Sequence, residues 1–97
     1  MYEEADVHAI VVTVKIEPGH DVEAAEQLQT TVLPRVKETP GVVSGYWLAP
    51  VEGRGLSLLL LENEEAARSA AAMISNAPRP DFVSFDSIEV REVIAQI

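Results

Sequence analysis

The sequence predicts an α+β protein built on one antiparallel sheet with helices on a single face. Three observations carry this expectation: segments alternate as strand, helix, strand, strand, helix, strand; the third strand is almost unbroken leucine; and glycine and proline mark the joints.

The first strand, His8-Ala9-Ile10-Val11-Val12-Thr13-Val14-Lys15-Ile16, is β-branched, with the even-numbered residues on one face and Ala9, Val11, Thr13 and Lys15 on the other. Pro18-Gly19 ends it. His20 or Asp21 is expected to cap a helix whose Val22, Ala25, Leu28, Val32 and Val36 follow helical spacing. Pro34 interrupts that helix, because proline donates no backbone hydrogen bond and its ring clashes with the preceding turn, so a kink near Thr30-Thr31 or a second short helix is expected. Pro40-Gly41 closes the segment. Val42 to Val51 reads as the second strand, and Pro50 assigns it to the sheet edge, where a missing N–H breaks no ladder bond. Glu52-Gly53-Arg54-Gly55 forms the hairpin turn. Leu56 to Leu61 lacks alternation, which is what burial on both faces demands, so the third strand should be central. Asn63 is a good cap for a second helix lined by Ala66, Ala67, Ala70, Ala71, Met73 and Ile74, whose small side chains permit close approach to a sheet. After the loop Asn76 to Asp81, the last strand lies within Val83 to Ala95 and is strongest from Ser87 to Ile94.

Composition narrows the function classes. The 97 residues, 47% hydrophobic and 24% charged, fit a single soluble domain spanning 1–97, with no apolar run of the ~18 residues needed to cross a bilayer. The acidic start Met1-Tyr2-Glu3-Glu4-Ala5-Asp6 is unlike an export signal, so a cytoplasmic location is expected. The absence of cysteine excludes disulfides, thiolate metal sites and Cys nucleophiles. Sixteen acidic residues against seven scattered basic ones give a formal charge of −9, which repels phosphate backbones, so neither nucleic acid nor membrane is an expected partner.

Two strand–helix–strand units joined by a hairpin give the ferredoxin-like βαββαβ arrangement, strand order 4-1-3-2, with both helices on one side because such crossovers are right-handed. The helices cover one face only. The other face carries Val11 and Ala9 from the first strand and its share of the leucines from the third. Leaving such side chains in water forfeits about 1.5–3 kcal/mol each, so a homodimer packed sheet against sheet is expected.

The runs Val32-Leu33-Pro34-Arg35-Val36, Pro40-Gly41-Val42-Val43-Ser44-Gly45-Tyr46-Trp47-Leu48 and Asn63-Glu64-Glu65-Ala66-Ala67, together with the turn into Leu56 to Leu61, resemble small actinobacterial members of the antibiotic-biosynthesis-monooxygenase-like, or dimeric α+β barrel, superfamily. The resemblance implies a dimer whose sheets form a barrel, with a pocket between sheet and helices in each subunit. That superfamily includes cofactor-independent oxygenases, haem-degrading enzymes and lactone isomerases. The Asn, Trp and His constellation of the haem-degrading members has no match, since Trp47 lies in the second strand and the first strand has no Asn; no cofactor is expected.

Candidate residues each have an ordinary reading beside the functional one. Tyr46 and Trp47 point to opposite faces of the second strand, so one of them can stack on an aromatic ligand, or both can serve core and interface packing. His8 shares a face with Ile10 and Val12 and is a candidate base, or simply a strand-end polar residue. His20 is explained by capping, and two distant histidines support no metal site. Arg35 and Arg91 suit bidentate anion binding or cross-strand ion pairing. Glu62, Glu64 and Glu65 are explained by the solvated start of the second helix. The first functional reading is an enzyme or binder acting without metal or flavin on an aromatic or phenolic substrate, whose deprotonated form reacts with oxygen. His8 and Tyr46 are its catalytic candidates; Trp47, Arg91 and Arg35 are its substrate-binding ones. The second reading is a non-catalytic, ligand-sensing or structural dimer. A helix–sheet space filled by Leu, Val and Met would remove the basis of the first.

Overall fold

The structure, a computed structural model, describes residues 6–97. The acidic start from which a cytoplasmic location is expected thus lies almost wholly outside the described residues. Strand β1 (His8–Ile16) leads into a broken helix: α1 (Asp21–Gln27), a π-helical turn (Leu28–Val32) and α2 (Leu33–Lys37). Strands β2 (Val42–Val51) and β3 (Arg54–Leu61) form a hairpin, followed by α3 (Glu64–Asn76) and β4 (Val83–Glu92). The sheet order is β2-β3-β1-β4 with every pairing antiparallel, so β3 is central and the Pro50 strand lies at an edge, as expected. This is the ferredoxin-like α+β fold.

Local chemistry explains most of the element ends. Asn63 caps α3, its Oδ1 accepting a bond from the Ala66 N–H at 2.8 Å. His20 occupies the corresponding position before α1 but caps nothing with its side chain. Its Nδ1 lies 2.5 Å from Glu23 Oε1 instead, and its ring stacks on Phe82 with centroids 4.6 Å apart. The hairpin turn is tighter than the sequence suggests: Glu52 and Gly53 both have positive φ, 52° and 77°, the signature of a two-residue type I′ turn. Val51 therefore pairs with Arg54, and β3 starts two residues before the expected Leu56. Where the sequence reads the Pro34 break as a kink or a new helix, the chain widens for one turn, and the Leu33 N–H reaches back to the Leu28 carbonyl.

The last strand differs most from expectation. It runs from Val83 and ends at Glu92, and a bulge between Thr13 and Val14 sets Thr13 against Ser87 but Val14 against Phe85. Asp86 is the extra residue. The slip brings Val83 and Phe85 onto the same face as Ile88 and Val90.

That face is the helix side, and the core lies there. Ile10 and Leu61 are fully buried, with Val12, Leu59, Ala67 and Ala70 around them. Because α3 presents alanines, it descends onto β1, β3 and β4. The broken helix stands higher over the sheet: Val36 packs against the core, but none of its residues is fully buried. On the opposite face Tyr46, Leu48 and Leu56 are 56%, 55% and 42% exposed, with Val11, Leu58 and Leu60 beside them in register. The β4 end of that face is polar, with Ser87, Glu89 and Arg91.

Candidate functional site

The gap beneath the broken helix is a cleft of about 510 Å³, within the range typical of small-molecule sites. Its floor is the sheet, where Val12, Val14, Leu59 and Phe85 come from three strands and Trp47 from the edge strand. The π turn and α2 form its roof with Leu28, Thr31, Val32 and Arg35, and α3 closes a side with Met73 and Ile74. The space is thus not filled by Leu, Val and Met, the outcome that would have counted against a ligand.

Trp47 owes its position to its neighbour two residues back. Gly45 shares its face of β2, and a Cβ at Gly45 would stand 3.0 Å from two carbons of the indole. A side chain there would press on the ring, so the glycine leaves it room to lie across the strand and present itself to the cleft. Ser57, its cross-strand partner, also lines the floor.

The structure divides the residues singled out in the sequence. Trp47 and Arg35 line the cleft together; His8, Tyr46 and Arg91 do not. His8 is on the helix face, opposite Leu61, but at the strand end, where its Nδ1 lies 2.6 Å from the Asp6 carbonyl oxygen. Tyr46 projects from the opposite face. Arg91 is also on that face and donates from Nε and Nη2 to Glu89 Oε1 at 2.9 and 2.6 Å, an ion pair along its own strand rather than across strands. Among the described residues no group of three or more His, Asp and Glu side chains comes together as a metal centre would require.

Two cleft residues escaped the sequence reading. Phe85 faces the cleft only because of the bulge, whose signal is the slip in spacing from Val83 and Phe85 to Ile88 and Val90. Arg79, between Pro78 and Pro80 in the loop after α3, sets its guanidinium 4.7 Å from the Phe85 ring centroid. Pro80 disfavours helical backbone at Arg79, holding the loop extended.

No protein-family model matches the sequence, and no curated protein matches it. Solved structures do. A heme-degrader, MhuD, from Mycobacterium tuberculosis, with two hemes bound in its active site, aligns with TM-score 0.68 at 20% identity over 94% of this chain and 98% of its own. A protein of unknown function from Nitrosomonas europaea gives 0.67 at 20% identity, covering 94% and 92%. A monooxygenase, ActVA-Orf6 of Streptomyces coelicolor, in complex with nanaomycin D, gives 0.61 at 20% identity, covering 99% and 97%. The chain shares the ferredoxin-like α+β fold of these proteins. At such identities the likeness is one of architecture. Haem iron takes His, Cys, Met or Tyr as axial ligand, and of these the described residues place only Met73 in the cleft, half exposed on α3. Both histidines lie elsewhere, so the residues of the cleft do not suit haem ligation.

Proposed function

We propose that this protein binds a small aromatic molecule in the cleft between sheet and broken helix, as a homodimer whose apolar sheet faces pack together into a barrel. The cleft itself is the observation that carries the reading: about 510 Å³ of space with an apolar wall and an indole set into its floor. An aromatic ligand stacks on Trp47, with Phe85 as a second ring. The monooxygenase and the heme-degrader that share the fold both hold large ring systems, which supports this class of ligand. The exposed Tyr46, Leu48 and Leu56, flanked by the half-buried leucines of β3, support the dimer, since a second copy removes the whole patch from water.

In the catalytic form of this reading the substrate is an electron-rich phenol, oriented by the cleft, deprotonated, and itself the donor of electrons to oxygen. A second, non-catalytic reading is favoured by one observation. Among the described residues no histidine or tyrosine lines the cleft, and the acidic residue that does, Asp21, lies at the start of α1. Stacking and shape are well provided for, acid–base chemistry poorly.

Oxygen uptake with a panel of hydroxyquinols and related phenols separates the two. The catalytic form expects consumption above background that falls in Trp47→Phe. Background rates throughout, with the same phenols bound as judged by calorimetry, leave a ligand-sensing dimer. Absence of binding by any member overturns both.

A further inference from the structure

The chain has five arginines, and the structure sorts them by partner. Three lie outside the cleft, each with a carboxylate: Arg54 with Asp86 at 3.0 Å, Arg68 with Glu64 at 2.8 Å, Arg91 with Glu89 at 2.6 Å. The two that line the cleft, Arg35 and Arg79, pair with no carboxylate among the described residues, although the sequence holds sixteen acidic residues. Arg79 already sits over a ring, that of Phe85. Its loop is also tied to the end where α1 begins, through the Phe82 carbonyl, which accepts from the Glu17 N–H at 2.9 Å, and there Asp21 also faces the cleft. Arg35 stands on α2, far along the broken helix from Asp21. Helical side chains lean toward the N-terminus, which directs Arg35 back over the turn that carries Thr31. Thr39, the next polar residue along the cleft, donates its hydroxyl proton to the Arg35 carbonyl at 3.0 Å, and the Arg35 guanidinium has no hydrogen-bond partner among the described residues.

We infer that the cleft selects an aromatic anion, with Arg35 holding the negative group beside the ring that stacks on Trp47. This inference rests on the cleft being an aromatic site. A guanidinium facing an apolar wall is the natural partner of a planar carboxylate, which it meets with two parallel N–H bonds. In a chain of net charge −9 the surroundings disfavour anions, so a cation kept free at this wall is what makes an anionic ligand acceptable. Thr31 adds a hydroxyl one turn away. Arg79 closes the far end over Phe85 and is not required for the charge.

The test compares 2-naphthoate with 2-naphthamide, which keeps the ring and replaces the charge by a neutral amide. Titration calorimetry on the full chain is expected to give naphthoate binding about tenfold tighter, the advantage shrinking as sodium chloride is raised. Quenching of the single tryptophan locates both ligands at Trp47. Arg35→Gln should erase the tenfold difference while leaving naphthamide affinity unchanged, and Arg54→Gln should leave both affinities as they are. Unaltered naphthamide binding in Arg35→Gln itself reports an intact fold. Equal binding of the two ligands by the unmodified protein, or a naphthoate preference that survives Arg35→Gln, overturns the anion site and leaves the aromatic cleft standing. If neither ligand binds, the cleft reading falls as well.

Discussion

At the scale of single residues, close contacts decide more than chemical type. Gly41, at the entry to β2, has φ of 84°, and a Cβ there would come within 2.7 Å of the Ala66 Cβ on α3. Gly41→Ala therefore adds backbone strain to a clash with the Ala66 Cβ and should cost about 1–3 kcal/mol. Thermal unfolding should register it as a fall in Tm of about 4–8 °C per kcal/mol for a domain of this size. Trp47 depends in the same way on Gly45. Gly45→Ala is expected to displace the indole from the floor and weaken aromatic binding severalfold with little loss of stability, a split that calorimetry and thermal melts resolve. Part of this was legible beforehand. Trp47 and Arg35 are singled out by the sequence and meet at the cleft, whereas His8, Tyr46 and Arg91 are chemically as plausible and sit elsewhere. Neighbouring residues on a strand face opposite ways, so Tyr46 and Trp47 cannot share one site, and nothing local tells which of the two faces holds the space.

At the scale of elements, the broken helix and α3 divide the work. An uninterrupted α-helix would need the Pro34 nitrogen to donate to the Thr30 carbonyl, and it has no proton. The chain answers by widening, with the Leu33 N–H reaching back to Leu28. Pro34→Ala removes the obstacle. It should raise helical circular dichroism and stability by about 1 kcal/mol or more, and weaken aromatic binding, because Arg35 and Val36 turn relative to Leu28 when the extra residue is absorbed. Unchanged affinity with increased helicity would mean that the widened turn does not shape the cleft. In α3 the Arg68 guanidinium, hydrogen-bonded to Glu64 one turn earlier, holds that carboxyl below its ordinary value of 4.5. A carboxyl with a depressed folded-state value adds stability that is present above the ordinary value and lost as pH falls through the depressed one. Arg68→Ala should therefore raise the Glu64 titration midpoint toward 4.5, as followed by carboxyl NMR, and remove that acid dependence. Element types follow the sequence closely; their ends do so less. The bulge in β4 is not legible locally, because an inserted residue puts Val83 and Phe85 on the face of Ile88 and Val90, against the strict alternation of an unbroken strand.

At the scale of the whole molecule, the fully buried core is small and confined to the helix face, with leucine left over on the other. Sedimentation at micromolar concentration is expected to give a dimer. Leu58→Arg, at the middle of the open face opposite Val11 and Tyr46, should dissociate it, since a buried unpaired charge costs several kcal/mol per subunit. A stable lone subunit of the unmodified chain would refute the barrel. The proposed dimer would use the sheet face opposite the cleft. Loss of the dimer by Leu58→Arg should therefore leave aromatic binding measurable if the subunit stays folded.

The order of the elements, the central place of β3, the edge place of β2 and the surplus of apolar surface were all determined by the sequence, because each rests on local periodicity, proline chemistry or composition. Tertiary structure alone decided the rest. The cleft exists because α3 can sink onto the sheet on its alanines while the proline-broken helix stays raised, and the distance between a helix and a sheet is set by every side chain between them at once. No window of sequence contains that distance, and so none could say which arginine would be left facing the gap.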